Sequence, residues 1–299
     1  MENYPIEWKK RLQVPESYRF RKTIDLVRKY EFEKFDAELY LQANGPGTFQ
    51  RVLKVFPKTY SAPLPAVAVP FYHPESMIGF ELDTQEILPN FIGITMMADL
   101  AQRGFITASA DAYHLTYVKS GLDCEDFSRW KLAGEALTRD YPDWCGMGKL
   151  LADTRLLTDT LDSDPRVDPV RIGIAGHSLG GKMAFYAGCL DPRIKAILAS
   201  DFGIGWDQTN WNDVWYWGGR VEEMKKAGLE HSQLLTMSGG KPFFLLAGKY
   251  DNEESREIML KAKGYESHPE YLGFLNHAAG HRPPQDALAA GYDFLERHL

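Results

Sequence analysis

Near the middle of the chain, Gly176-His177-Ser178-Leu179-Gly180 sets a serine hydroxyl between two glycines, where a strand gives way to a helix. Ile172, Ile174 and Ala175 before it suit a buried strand, and Met183, Tyr186, Ala187 and Leu190 after it recur at helical spacing. A turn this cramped has no room for side chains at the glycine positions. The serine backbone is therefore strained, and its hydroxyl is presented above the sheet. The chemistry predicted is nucleophilic attack by Ser178. The plain alternative is a glycine-rich turn with an ordinary serine, and the strand and helix on either side argue against it.

A serine hydroxyl attacks poorly at neutral pH, so a base and an acid must converge on it. With this elbow they follow in the order acid, then histidine. Asp251 comes just after the apolar run Lys241 to Gly248, at the carboxyl end of a predicted strand where ligand chemistry collects in an open α/β sheet. It could instead cap the helix that begins near Glu253. Asp201, at the end of the run Lys195 to Ser200, is the rival acid. His281 lies on the loop after a last predicted strand, Tyr271 to Leu275, and directly before the prolines that open the final helix; His277 is its rival. His114, His177, His231, His268 and His298 suit surface or packing positions. His73 lies near the loop expected to bind an oxyanion and stays open.

These residues need a framework. Phe35 to Gln42 and Phe49 to Phe56 alternate as an antiparallel pair about the turn Asn44-Gly45-Pro46-Gly47. Pro65 to Pro70 and Phe105 to Ala110 read as strands, and Ile94 to Arg103 and Lys149 to Asp162 as helices. This alternation predicts a doubly wound, mostly parallel sheet after an N-terminal antiparallel hairpin. Residues 1–35 read as a helical segment packed on the outside of the main domain (36–299), with Thr23 to Tyr30 part of a helix. Two aromatic-rich insertions interrupt the pattern, at 112–147 and 202–219. The second holds four of the seven tryptophans: Trp206, Trp211, Trp215 and Trp217. Insertions at this edge of the sheet are expected to wall the substrate, with Trp206, Trp211 and Trp215 as sugar-stacking surfaces. A packed aromatic cap is the alternative.

The elbow, together with Gly146 to Lys149, Asp153, Arg155, the run Asp164 to Gly173 and Asp191 to Ala196, resembles the α/β-hydrolase superfamily. Within it the chain looks most like the dienelactone-hydrolase-like and carbohydrate-acetylesterase branch. The resemblance covers residue 65 to the C-terminus, and Ser178 replaces the cysteine of dienelactone hydrolases proper. It implies an α/β-hydrolase fold with cap insertions, a Ser178–Asp251–His281 triad, and an oxyanion hole formed by the amides of Leu179 and Tyr72. The expected activity is hydrolysis of a small-molecule carboxylic ester, an acetylated sugar first, with no metal or organic cofactor. A peptidase of the prolyl-oligopeptidase kind is the alternative enzyme, and a binding protein on a hydrolase scaffold the alternative without catalysis.

Composition narrows the partners. The net charge of −7 and pI near 5.7 argue against nucleic acid and anionic membrane surfaces. No apolar run approaches the ~20 residues of a membrane span, and the first ten residues hold no apolar core of a signal peptide. Cys124, Cys145 and Cys189 show neither C-x-x-C nor zinc-ligand spacing, which leads to the expectation of reduced thiols in a cytoplasm. Nothing in the sequence sets the oligomeric state.

Overall fold

The computed structural model describes residues 3–61 and 63–299. Among these, nine strands form one mixed sheet: β1 (Ile24–Glu31), β2 (Phe35–Gly45), β3 (Thr48–Pro57), β4 (Leu64–Ala68), β5 (Ile106–Ala110), β6 (Val167–His177), β7 (Ile194–Ser200), β8 (Phe243–Ala247) and β9 (Leu272–Asn276). The spatial order is β1-β2-β3-β5-β4-β6-β7-β8-β9. The pairs β1–β2, β2–β3 and β3–β5 are antiparallel, and the rest are parallel.

Apolar residues face both ways from the central strands, as they must when helices cover both sides of a parallel sheet. Ile172 and Ile174 of β6 share one core with Leu150 and Leu157 of the helix Gly146–Asp162 and Met183 and Phe185 of the helix Leu179–Leu190. Ala175 and Leu198 face the other core, with Met97 and Leu100 of the helix Met96–Gln102 and Leu288, Tyr292 and Leu295 of the helix Gln285–His298.

Register decides which side chains meet. His177 of β6 pairs with Ser200 of β7, so Ser178 and Asp201, each one residue past its strand, leave the sheet side by side. Asp251 lies four residues past the end of β8.

The N-terminal expectation needs correcting. Thr23 to Tyr30 is not helical: β1 runs through it and pairs with β2 from Ile24↔Gln42 to Glu31↔Asp36, with an irregularity between Leu26 and Arg28. As an edge strand, β1 takes its conformation from hydrogen bonds to its neighbour. Its exposed charges, with Lys29 bonded across to Glu38 at 2.8 Å, discourage further pairing. The segment 1–35 is thus a helix, Tyr4–Leu12, followed by a strand of the main sheet; its first two residues lie outside the described residues.

The two insertions pack on each other. The helix Phe127–Asp140 lies against residues 214–215 so closely that a Cβ on Gly134 would stand 2.8 Å from the Val214 carbonyl carbon. Met147 donates its amide to the Tyr216 carbonyl at 3.0 Å. Among the described residues, no helix is long and apolar enough to cross a membrane.

Candidate active site

Ser178 joins β6 to the helix Leu179–Leu190 with φ 54° and ψ −114°, a conformation that L-residues seldom adopt. The glycines explain why the chain can turn here. A Cβ on Gly176 would lie 2.1 Å from the Gly180 carbonyl oxygen, and one on Gly180 would lie 2.1 Å from that of Pro70. The close approach at Gly180 also brings the loop after β4, which carries Tyr72, against the elbow. Leu179 opens the helix, so its amide is among those with no acceptor inside the helix.

His281 Nε2 lies 3.0 Å from Ser178 Oγ, and His281 Nδ1 lies 2.7 Å from Asp201 Oδ2. Ser178 and His281 therefore meet as predicted from the sequence, but the acid against the histidine is Asp201, not Asp251. Asp201 is fully buried, and its Oδ1 accepts the amides of Gly248, Tyr250 and Asp251 at 3.2, 2.8 and 2.9 Å. Burial opposes its ionisation, yet His281 and these amides prevail and hold the carboxyl below its ordinary range.

Asp251 makes the converse set of bonds. Its carboxylate accepts the amides of Gly203 and Ile204, both at 2.8 Å, and the Ser255 hydroxyl at 2.9 Å. Each aspartate clasps the backbone of the other's loop. Burial pushes the Asp251 carboxyl upward.

His277, the rival base, packs its ring against Gly248 instead. The His177 ring lies tilted 4.6 Å from the His281 ring, and burial lowers its pKa to about 3, leaving a neutral ring bonded to Ser200 Oγ at 3.1 Å. His73 turns away from Ser178 into a separate cavity.

The triad opens into a cavity of about 620 Å³. Tyr72, Phe127, Trp130 and Tyr216 line it with aromatic rings, Thr209, Asn210 and Asp213 line it with polar groups, and Tyr250 flanks His281 at a ring-centroid distance of 4.9 Å. Lys182 also lines the cavity; its Nζ donates to Thr209 Oγ1 at 2.9 Å and Asn210 Oδ1 at 3.3 Å and sits over the rings of Trp211 and Tyr216. Burial lowers its pKa to about 7 despite the nearby Asp251, Asp213 and Asp201. Lys182 was missed in the sequence, although one helical turn from Ser178 places it on the nucleophile's side.

Trp206, Trp211 and Trp215 do not line this cavity, which corrects the expectation that they hold substrate. Trp211 is fully buried and donates its indole N–H to the Gly203 carbonyl at 2.8 Å. Trp206 stacks on Trp8 of the N-terminal helix, and Trp215 on Phe127, with ring centroids 6.1 and 5.8 Å apart. Large indoles bury readily when aromatic neighbours surround them. The short polar residues between them are left to face the cavity.

No known protein-family model matches the chain. Its sequence is 38% identical over 61 residues to 4-O-methyl-glucuronoyl methylesterase 1 of Sodiomyces alcalophilus, a match covering 18% of this chain and only 12% of that protein. Among solved structures it is similar to a glucuronoyl esterase of Teredinibacter turnerae, with 16% identity, a TM-score of 0.68 and coverage of 99% of this chain and 84% of the other. It is also similar to an acetyl xylan esterase of Paenibacillus sp. R4, with 16% identity, a TM-score of 0.61 and coverage of 100% and 95%. Sheet order, elbow and these likenesses agree: the chain has the α/β-hydrolase fold.

Proposed function

We propose that this protein is a serine hydrolase acting on carboxylic esters of sugars. The observation that carries the reading is the unbroken hydrogen-bonded chain from Ser178 through His281 to buried Asp201, at 3.0 and 2.7 Å. His281 Nε2 takes the proton from Ser178 Oγ as the oxygen attacks the acyl carbonyl, then returns it to the leaving alcohol. Asp201 fixes the Nδ1–H tautomer and stabilises the imidazolium. The amides of Leu179 and Tyr72 receive the oxyanion, and donors of this kind are worth roughly 10²–10³ in rate each. Water then releases the acyl group from Ser178 by the same steps in reverse order.

The cavity supports a sugar as the alcohol or acyl part. Tyr72, Phe127 and Trp130 offer flat apolar faces in the same cavity as the polar groups of Thr209, Asn210, Asp213 and Lys182. The names of the similar proteins point to two such ester classes, acetylated xylan and glucuronoyl esters. Three free thiols, two of them buried, suit a reducing cytoplasm.

A fluorophosphonate probe should label the wild-type chain and leave Ser178→Ala unlabelled. The wild type should also turn over acetylated xylo-oligosaccharides or methyl glucuronate. Labelling that survives in a folded Ser178→Ala variant, or a wild type inert towards both ester classes and p-nitrophenyl acetate, would sink the proposal.

A further inference from the structure

We propose that His73, Cys124 and Glu125 form a binding site for one divalent zinc-like cation, beside the candidate active site and independent of its chemistry. The imidazole, thiol and carboxylate ligand atoms lie within 4.8 Å of one another, although the residues come from two loops far apart in sequence. Tetrahedral zinc with nitrogen, sulfur and oxygen ligands has edges of ~3.3–3.8 Å, so small side-chain rotations close the set. Three protein ligands leave the fourth position for water. Sulfur and imidazole favour zinc over magnesium or calcium, which take all-oxygen shells.

The surroundings fit a ligand shell. Glu75, itself buried, accepts from His73 Nδ1 at 3.0 Å, which leaves Nε2 as the ligand nitrogen. A carboxylate behind the outer nitrogen is the usual support for a metal-bound histidine. The Cys124 carbonyl is pinned by Trp130 Nε1 at 2.9 Å and His114 Nε2 at 3.2 Å, so the thiol does not depend on a free loop for its position.

Charge favours a dication. Around the cluster the carboxylates of Glu75, Glu81, Asp111 and Glu125 outnumber the guanidiniums of Arg51 and Arg129. Arg51 is taken up by Glu75 and Asp111, and Arg129 by the carbonyls of His114, Leu115 and Leu122. A dication offsets that excess of negative charge. A cation reconciles all three donors.

The test uses the untagged full chain, reduced and stripped with chelator. Zinc added against a chromophoric competitor should bind at one equivalent, and cobalt(II) should give a thiolate-to-metal absorption band. Zinc should protect Cys124 from iodoacetamide, a readout on the wild type that needs no variant. Cys124→Ser and His73→Gln should lose the cobalt band and weaken zinc at least a hundredfold, and Glu75→Gln should weaken it roughly 10–100-fold. Cys189→Ser, at a buried thiol elsewhere, should bind as the wild type does. The site is overturned if the wild type binds less than half an equivalent and alkylates at the same rate with and without zinc. It is equally overturned if folded Cys124→Ser and His73→Gln both bind zinc like the wild type.

Discussion

Asp201 and Asp251 illustrate how position alone misleads at the level of single residues. Both are aspartates just beyond a strand, both are buried, and their loops are bonded together. Only the register of β6 against β7 separates them, because it places Asp201 level with Ser178. Asp201→Asn should keep the fold while kcat falls on the order of 10⁴, the effect of giving a triad histidine the wrong tautomer. Asp251→Asn turns an amide N–H₂ towards backbone donors and should cost ~1–3 kcal/mol of stability with a much smaller loss of kcat. Steady-state kinetics and urea melts on both variants decide the matter, and the reverse pattern would return the acid to Asp251. The serine and histidine were legible because elbow glycines and loop prolines leave a local signature. The acid and the cluster of His73 with Cys124 were not, since their partners are set by contacts across more than 50 residues.

The elements of the cap divide their labour between packing and contact. Trp211 is sealed inside, whereas Phe127 is 57% exposed at the cavity wall. Trp211→Ala should cost ~3–5 kcal/mol of stability, as large core truncations do, and leave the ranking of ester substrates unchanged. Phe127→Ala should raise KM for sugar esters and spare both the melting temperature and kcat on p-nitrophenyl acetate. Measuring KM and melting temperature for both variants tests the division. Both insertions follow strands, β5 and β7, and composition could not reveal which face of each would be filled. β1 escaped recognition for a related reason. Its periodicity is weak because neither face is much buried, and its strand character comes from pairing with β2.

Across the whole molecule, an ionic knot around the buried carboxylates of Glu38 and Asp164 ties the antiparallel and parallel halves of the sheet. Glu38 on β2 bonds Lys29 of β1 and Arg166 before β6; Asp164 bonds Arg166 and Lys54 of β3. Burial alone would raise the Glu38 carboxyl, yet Arg166, Lys29 and Tyr40 bring it down to about 2. A carboxyl whose pKa falls on folding stabilises above its unfolded value, ~4.3 for glutamate, and that contribution fades as the pH drops towards 2. Glu38→Gln should therefore be less stable than the wild type in urea at pH 6, and the gap should narrow by pH 3. A gap that stays constant over that range would remove Glu38 from the account.

The stacking of Trp8 on Trp206 has a consequence for how the protein is made. Trp8 also meets Trp217 and His231 at ring-centroid distances of 6.0 Å each. At ~5–20 residues per second on the ribosome, roughly 10–40 s separate its synthesis from that of Trp206. During that interval the indole has none of these partners and is open to chaperones and to other nascent chains. Residues Thr209 to Tyr216, which line the cavity, rest on the same aromatic cluster, and that cluster is completed only once Trp8 and His231 are both present. The substrate cavity is thus among the last parts of the molecule to be finished, and loss of the first dozen residues should reach it before it reaches the sheet.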